Sequence, residues 1–250
     1  MQVLISCAKI MTGRAPREIS YVTEPSFQLQ ANENAMQMID YSVDELQEML
    51  HINREIALEN WRRFQTFHVM NDRQPAVFCY DGMVFQRLAP ETFSDNDLKY
   101  ANDHLLISSF LYGLLRPLDL VNKYRLEGDV VLSGNDGKSM FDFWKPILTD
   151  WFIQKIKADD GILVNLASDE MRNLFDWKRV KKEVTIVTPQ FRIEKNGKLK
   201  TIVIYTKMCR GAMARYILKE RITDIDLLKG FEYEGFELDE AESDWLFTFR

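Results

Sequence analysis

Short apolar runs that end in small polar residues recur along this chain and predict its sheet. Val3, Leu4 and Ile5 predict a buried strand running into Ser6-Cys7-Ala8-Lys9. Ala76 to Tyr80, following Pro75, predicts another, closed by Asp81-Gly82, a turn signal that also suits a pocket lining. Leu105 to Leu111 fits a strand or a buried helix; its serine-rich, glycine-terminated end favours the strand. Ile162 to Leu166 predicts a buried strand leading into Ala167-Ser168-Asp169-Glu170. Val184 to Val187 and Ile202 to Tyr205 alternate as strands do, and Asn196-Gly197 between them suits a type I′ hairpin turn.

Helical signals fill the intervals. Thr12 to Ala31, with Gly13, Pro16 and Pro25, reads as loop. Ser42 and Glu45 form a capping-box pattern, in which side chain and backbone at a helix start satisfy each other's donors. Leu46 and Leu50 share a face of that helix. A second helix from about Asn53 presents Ile56, Trp61 and Phe64, with Arg54, Arg62 and Arg63 on the wet side. Ser94 caps a helix over Asp95 to His104. Phe143, Trp144, Ile147 and Trp151 are spaced as core positions of another, and Met213, Tyr216, Ile217 and Leu218 mark the last. The aromatic, acidic tail from Phe231 is expected to return as a strand or hairpin. With no repeat and no linker, the expectation is one domain over residues 1–250. It is of α/β class with a mixed sheet flanked by helices, an α+β arrangement staying open.

The stretch Ser109 to Glu127 stands apart. Gly113 permits backbone geometry closed to other residues, and Pro117 biases Arg116 away from helix. Lys123, Tyr124, Arg125 and Glu127 then crowd together. On the residues alone this is a sharp bend with a structural ion pair.

Composition narrows the function classes. A chain of 250 residues, 46% hydrophobic and 28% charged, has the makings of a packed core and not of a disordered segment. A net charge of −6 argues against indiscriminate coating of polyanions, while leaving room for a local basic face. The three cysteines, Cys7, Cys79 and Cys209, are widely spaced without a C-x-x-C pair, so neither a disulfide framework nor a zinc knuckle is expected. Only three histidines occur, and SGNDGK at Ser133 to Lys138 lacks the spacing of a P-loop. No cofactor and no metal site are expected. No apolar run reaches membrane-spanning length and no signal peptide is apparent, so the expected compartment is the reducing cytosol.

Polar residues at strand ends are where open α/β sheets hold ligands. Ser6 and Lys9, then Ser168, Asp169 and Glu170, then Lys207 and Arg210 fit that description, and the bend adds Arg116, Tyr124, Arg125 and Glu127. Together they would make a pocket for a small anionic ligand. Arginine offers a planar fork to phosphate or carboxylate. Lys9 or Lys207 would serve as point charge or amine nucleophile, and Asp169 or Glu170 as general base. Each also has a plainer reading, as a solvated lysine or an ordinary ion pair.

Several of these stretches resemble, in order, the peroxide stress protein YaaA family. They are LISCAK at Leu4 to Lys9, LYGLLRPLD followed by YRLE inside Ser109 to Glu127, NLASDE at Asn165 to Glu170, and KNGKLK with YTKMCRGAMARYI across Lys195 to Ile217. ETFS at Glu91 to Ser94 fits as well. The family often has proline where Cys7 stands, which argues against Cys7 as a required nucleophile. The resemblance implies a role in peroxide stress, limiting damage from unincorporated iron, with sequence-independent DNA binding through a helix-hairpin-helix element. We assign that element to LYGLLRPLD, with Gly113, Arg116 and Lys123 facing phosphates. The alternative is an enzyme acting on a nucleotide, a nucleobase or another small anionic substrate. Direct iron binding by Asp239, Glu240 and Glu242 is a third reading, against that of a solvated acidic tail.

Overall fold

Gln2–Ile5 forms strand β1, with all four residues buried. The apolar run Val3–Ile5 suits a parallel strand covered on both faces. The computed structural model describes residues 1–68, 72–239, 241 and 245–249. After β1 come α1 (Gln28–Ile39), α2 (Val43–Met49), α3 (Arg54–Gln65), β2 (Gln74–Pro75), α4 (Ala76–Cys79), α5 (Met83–Leu88) and α6 (Asp95–His104). Then follow β3 (Leu105–Ser109), β4 (Gly113–Leu115), β5 (Leu120–Val121), α7 (Met140–Lys157), β6 (Ile162–Asn165), α8 (Trp177–Glu183) and β7 (Thr185–Val187). The last elements are β8 (Gln190–Lys195), β9 (Lys198–Lys200), α9 (Val203–Lys219), β10 (Glu237–Leu238) and β11 (Leu246–Phe249). Among the described residues no helix is long and apolar enough to cross a membrane.

The fold is mixed α/β. Its main sheet has the order β4-β3-β1-β6-β7. β3, β6 and β7 run parallel to their neighbours in the β1-centred core of this sheet, and β4 pairs antiparallel at one edge. The chain passes from β1 to β3 on one side and then crosses to β6 on the other. That reversal of strand order opens a crevice at the C-terminal ends of β1 and β6, the usual ligand position in open α/β sheets. The crossover helix α7 lies on the sheet through fully buried Trp144, Leu148 and Phe152, and the Trp144 indole N–H donates to the Phe110 carbonyl at 2.7 Å.

Several local expectations are met. Ser42 and Ser94 both make capping boxes, and Asn53 caps α3. Asn196 and Gly197 both have positive φ, 56° and 69°, as a type I′ turn requires. The hairpin's arms are β8 and β9, whereas the Val184–Val187 run joins the main sheet as β7.

Other expectations are corrected. Ala76–Cys79 is a helical turn, not a strand; four fully buried apolar residues carry no period that separates the two. Ile202 to Tyr205 is the start of α9, because Thr206, Cys209, Met213 and Ile217 continue as its buried positions at helical spacing. The Thr12–Ala31 loop ends at Phe27, where α1 begins.

LYGLLRPLD is turn, strand β4 and turn, leading into β5, and not helix-hairpin-helix. Gly113 opens β4 at φ +72°, and a Cβ there would stand 2.8 Å from Trp144. The only element able to approach so closely is bare backbone, and that backbone faces the core.

Candidate functional site

A cleft of about 400 Å3 opens at the C-terminal ends of β1 and β6. Ser6, Lys9, Glu127, Ser168, Glu170, Lys207 and Arg210 all line it, together with Cys7, Asp81, Gly82, Phe85, Phe110 and Met171. The crevice between β1 and β6 is closed at its base by hydrogen bonds. The Ser168 amide donates to Ser6 Oγ at 2.9 Å, and the two serine hydroxyls lie 3.2 Å apart. One wall is α5, and the other is α9, which carries Lys207 and Arg210. The two helices meet at Gly211, where a Cβ would fall 2.2 Å from the Val84 carbonyl oxygen. Glycine at that position sets the width of the cleft.

Glu127 is the fixed anion of the site. Its carboxylate takes Lys9 Nζ at 2.9 Å on one oxygen and Arg125 Nη2 at 3.1 Å on the other. Arg125 thus stands behind Glu127 and not in the cleft, and its backbone is held by Asn60 through bonds of 2.8 and 3.0 Å. Tyr124 lies deeper still. Its hydroxyl sits 2.6 Å from Ser109 Oγ and 2.9 Å from the Tyr80 hydroxyl. Burial raises the pKa of both tyrosines well above the ordinary value, so the pair stays neutral.

Lys207 is exposed, and neither it nor Arg210 pairs with a carboxylate within 4 Å among the described residues. Burial lowers the Arg210 guanidinium below its usual value; Asp169 opposes that effect and Arg172 adds to it. Asp169 points away from the cleft, ion-paired to Arg172 at 2.9 Å, and lines a neighbouring cavity instead. That cavity, about 380 Å3, shares Arg210 with the cleft and adds Arg172 and Arg192. A third, lined by Arg172, Trp177 and Lys181, continues from it. Sequence reasoning missed Arg172 and Arg192. Neither lies in a strand-end motif, and only the turn after Ser168 and the β8 strand bring them to Arg210.

The residues assigned to phosphate contacts lie elsewhere. Gly113 is buried. Arg116 donates through Nε and Nη2 to Asp119 at 3.1 and 2.8 Å, and through Nη2 to the Glu24 carbonyl at 2.8 Å. Lys123 lines a separate cavity with Arg63 and Asp72, its ammonium 3.4 Å from the Thr12 carbonyl. Helices α2 and α3 do form a helical hairpin. Its connecting amides at Leu50, His51 and Ile52 bond back into α2, however, and its arginines Arg54 and Arg63 are already paired with Asp44 and Glu59.

The cysteines are free thiols, with Cys79 and Cys209 buried and Cys7 at the cleft. Burial, then the negative Glu127 and Glu170, push the Cys7 thiol up to about 12. Among the described residues no group of three or more metal-binding side chains forms. Asp239 is buried and accepts a hydrogen bond from Thr248; Glu240 and Glu242 lie outside the described residues.

Fold and site together define an α/β protein with a charged cleft at the switch point of its sheet, where Lys9, Lys207 and Arg210 face Asp81, Glu127 and Glu170. A family model described as peroxide stress protein YaaA matches residues 1–242, and the chain belongs to that family. It is 54% identical over 245 residues to a UPF0246 protein of Bacteroides fragilis, covering 98% of this chain and 95% of that relative. A UPF0246 protein of Bacteroides thetaiotaomicron is 53% identical over the same shares, and one of Neisseria gonorrhoeae is 34% identical over 99% of this chain and 97% of its own length.

Proposed function

We propose that this peroxide-stress protein limits damage from unincorporated iron by binding DNA through its phosphates, along the cleft face and not at the Gly113 bend. One observation supports this above the others. On a chain of net charge −6, a cavity lined by Arg172, Arg192 and Arg210 against Asp169, and a second lined by Arg172 and Lys181, adjoin through shared residues and border the charge-balanced cleft at Arg210, near the exposed Lys207. Such a cationic track attracts a polyanion locally even when the whole chain is acidic. Contacts of this kind carry little sequence information and weaken steeply with salt.

The test is fluorescence anisotropy with duplex and single-stranded DNA across a salt series. Wild type should show affinity falling linearly in log–log form with salt and varying little with sequence. Lys207→Ala should weaken binding and reduce the salt slope by about one contact. Affinity indifferent to salt would sink the proposal.

A second reading is favoured by the cleft itself. Its volume is of the size small ligands occupy, and it sets Lys207 and Glu170 near paired serines. On that reading a nucleotide or another small anion is the ligand, and calorimetric titration would register it without any DNA.

A further inference from the structure

The cavity beyond Arg210 carries more charge than its surroundings require. Arg172, Arg192 and Arg210 line it against a single carboxylate, Asp169, which is 83% exposed and already paired with Arg172. Three guanidiniums less one carboxylate leave two positive charges around about 380 Å3. Arg172 and Arg210 lie close enough to repel, with no second acid between them. Holding like charges together in a partly desolvated site is costly unless an anion joins them.

The donors also lack acceptors. The Nε atoms of Arg172 and Arg210 are both buried without a hydrogen-bond partner among the described residues, whereas buried polar groups are usually paired. The Arg192 Nη2 has only the Gln190 amide oxygen, at 2.8 Å. The far wall is the start of α9, a helix of 17 residues whose N-cap Ile202 provides no side-chain cap and whose first turn holds no acid. Thr201 and Thr206 line the cavity on that side. The positive end of this helix adds to the arginines.

We infer that this cavity binds a phosphomonoester dianion, the terminal phosphate of a nucleotide or of a nucleic-acid strand end. The two net positive charges match a dianion, whereas an internal phosphodiester or a carboxylate carries one negative charge. Guanidinium forks suit the tetrahedral oxygens of a phosphate group. Arg210 faces both the cavity and the cleft. A phosphate held here therefore leaves the attached sugar and base beside Phe85, Phe110 and Lys207. The strand-end source rests on the DNA reading above; the mononucleotide source does not.

The experiment compares ligands that differ only in the terminal phosphate. A short single-stranded oligonucleotide is used with a 5′-phosphate, with a 3′-phosphate or with hydroxyl ends, alongside AMP and adenosine. The expected result is about tenfold tighter binding for at least one phosphorylated member of a pair, a difference of about 1.4 kcal/mol. Arg172→Gln and Arg192→Gln should each bring that ratio towards one. Thermal unfolding checks each variant, and Arg192, with its single side-chain bond to Gln190, is the substitution least able to disturb the fold. If hydroxyl-ended and phosphorylated ligands bind alike in wild type, the inference falls while salt-dependent DNA binding stands. A ratio that persists in both folded variants overturns it as well. If AMP exceeds adenosine while no oligonucleotide binds, the cavity assignment holds for mononucleotides and the DNA reading fails.

Discussion

Arg116 and Arg210 show how differently one residue type is used in two regions of this molecule. At the bend, Arg116 closes a ring of bonds with buried Asp119, whose other donors are the Thr23 hydroxyl at 2.6 Å and the Arg116 amide at 2.7 Å. At the cleft, Arg210 is likewise half-buried and has no such partner among the described residues. A satisfied arginine is scaffold, because its donors are spent and releasing them is costly. An unsatisfied one holds its capacity for a ligand. Residue identity did not separate the two; the accounting of partners did.

The sharpest way to break this contrast is Arg116→Ala. Removing the cation leaves Asp119 fully buried and unpaired, and a loss of about 3 kcal/mol in unfolding free energy is expected. DNA affinity of the folded variant should match wild type. Chemical denaturation and anisotropy on the same preparation check both, and reduced affinity with full stability would reverse the assignment.

A smaller effect is expected in acid. Burial favours the neutral form of Asp97, but Lys219 and the Ser94 cap outweigh it and hold its carboxyl at about 2, below its ordinary 3.8. A depressed carboxylate stabilises the fold above its unfolded pKa and loses that contribution as the pH falls through the folded value. About 2 kcal/mol should therefore disappear between pH 4 and pH 2. Asp97→Asn should flatten that part of the stability profile. An unchanged profile would show that the pair of Asp97 with Lys219 and Arg221 is not a structural anchor of α6 and α9.

The smallest effect concerns the thiol inside the cleft. With its pKa at about 12, Cys7 is almost wholly protonated at neutral pH, and the protonated thiol is a poor nucleophile. Treatment with dilute peroxide should leave Cys7 unmodified by mass spectrometry, and Cys7→Ser should change DNA affinity by less than about twofold. Rapid formation of a sulfenic acid at Cys7 would make the cleft a redox site instead.

Much of this protein was legible in its sequence. Apolar runs such as Val3–Ile5 and Ile162–Val164 can hardly avoid a buried strand, and Ser42, Ser94 and Asn196-Gly197 carry their capping and turn geometry in a few adjacent residues. Polar residues after those strands marked the cleft for the same local reason, since parallel strands deliver their C-terminal ends to one edge. Tertiary structure alone decided the rest. Whether Ala76–Cys79 coils or extends depends on what packs around it, not on its own four residues. Which cations remain available depends on distant partners: Asp119 takes Arg116 and Glu127 takes Arg125, while Arg172, Arg192 and Arg210, far apart in the chain, are left facing one cavity. Charge pairing is a property of proximity in space, and no local pattern encodes it.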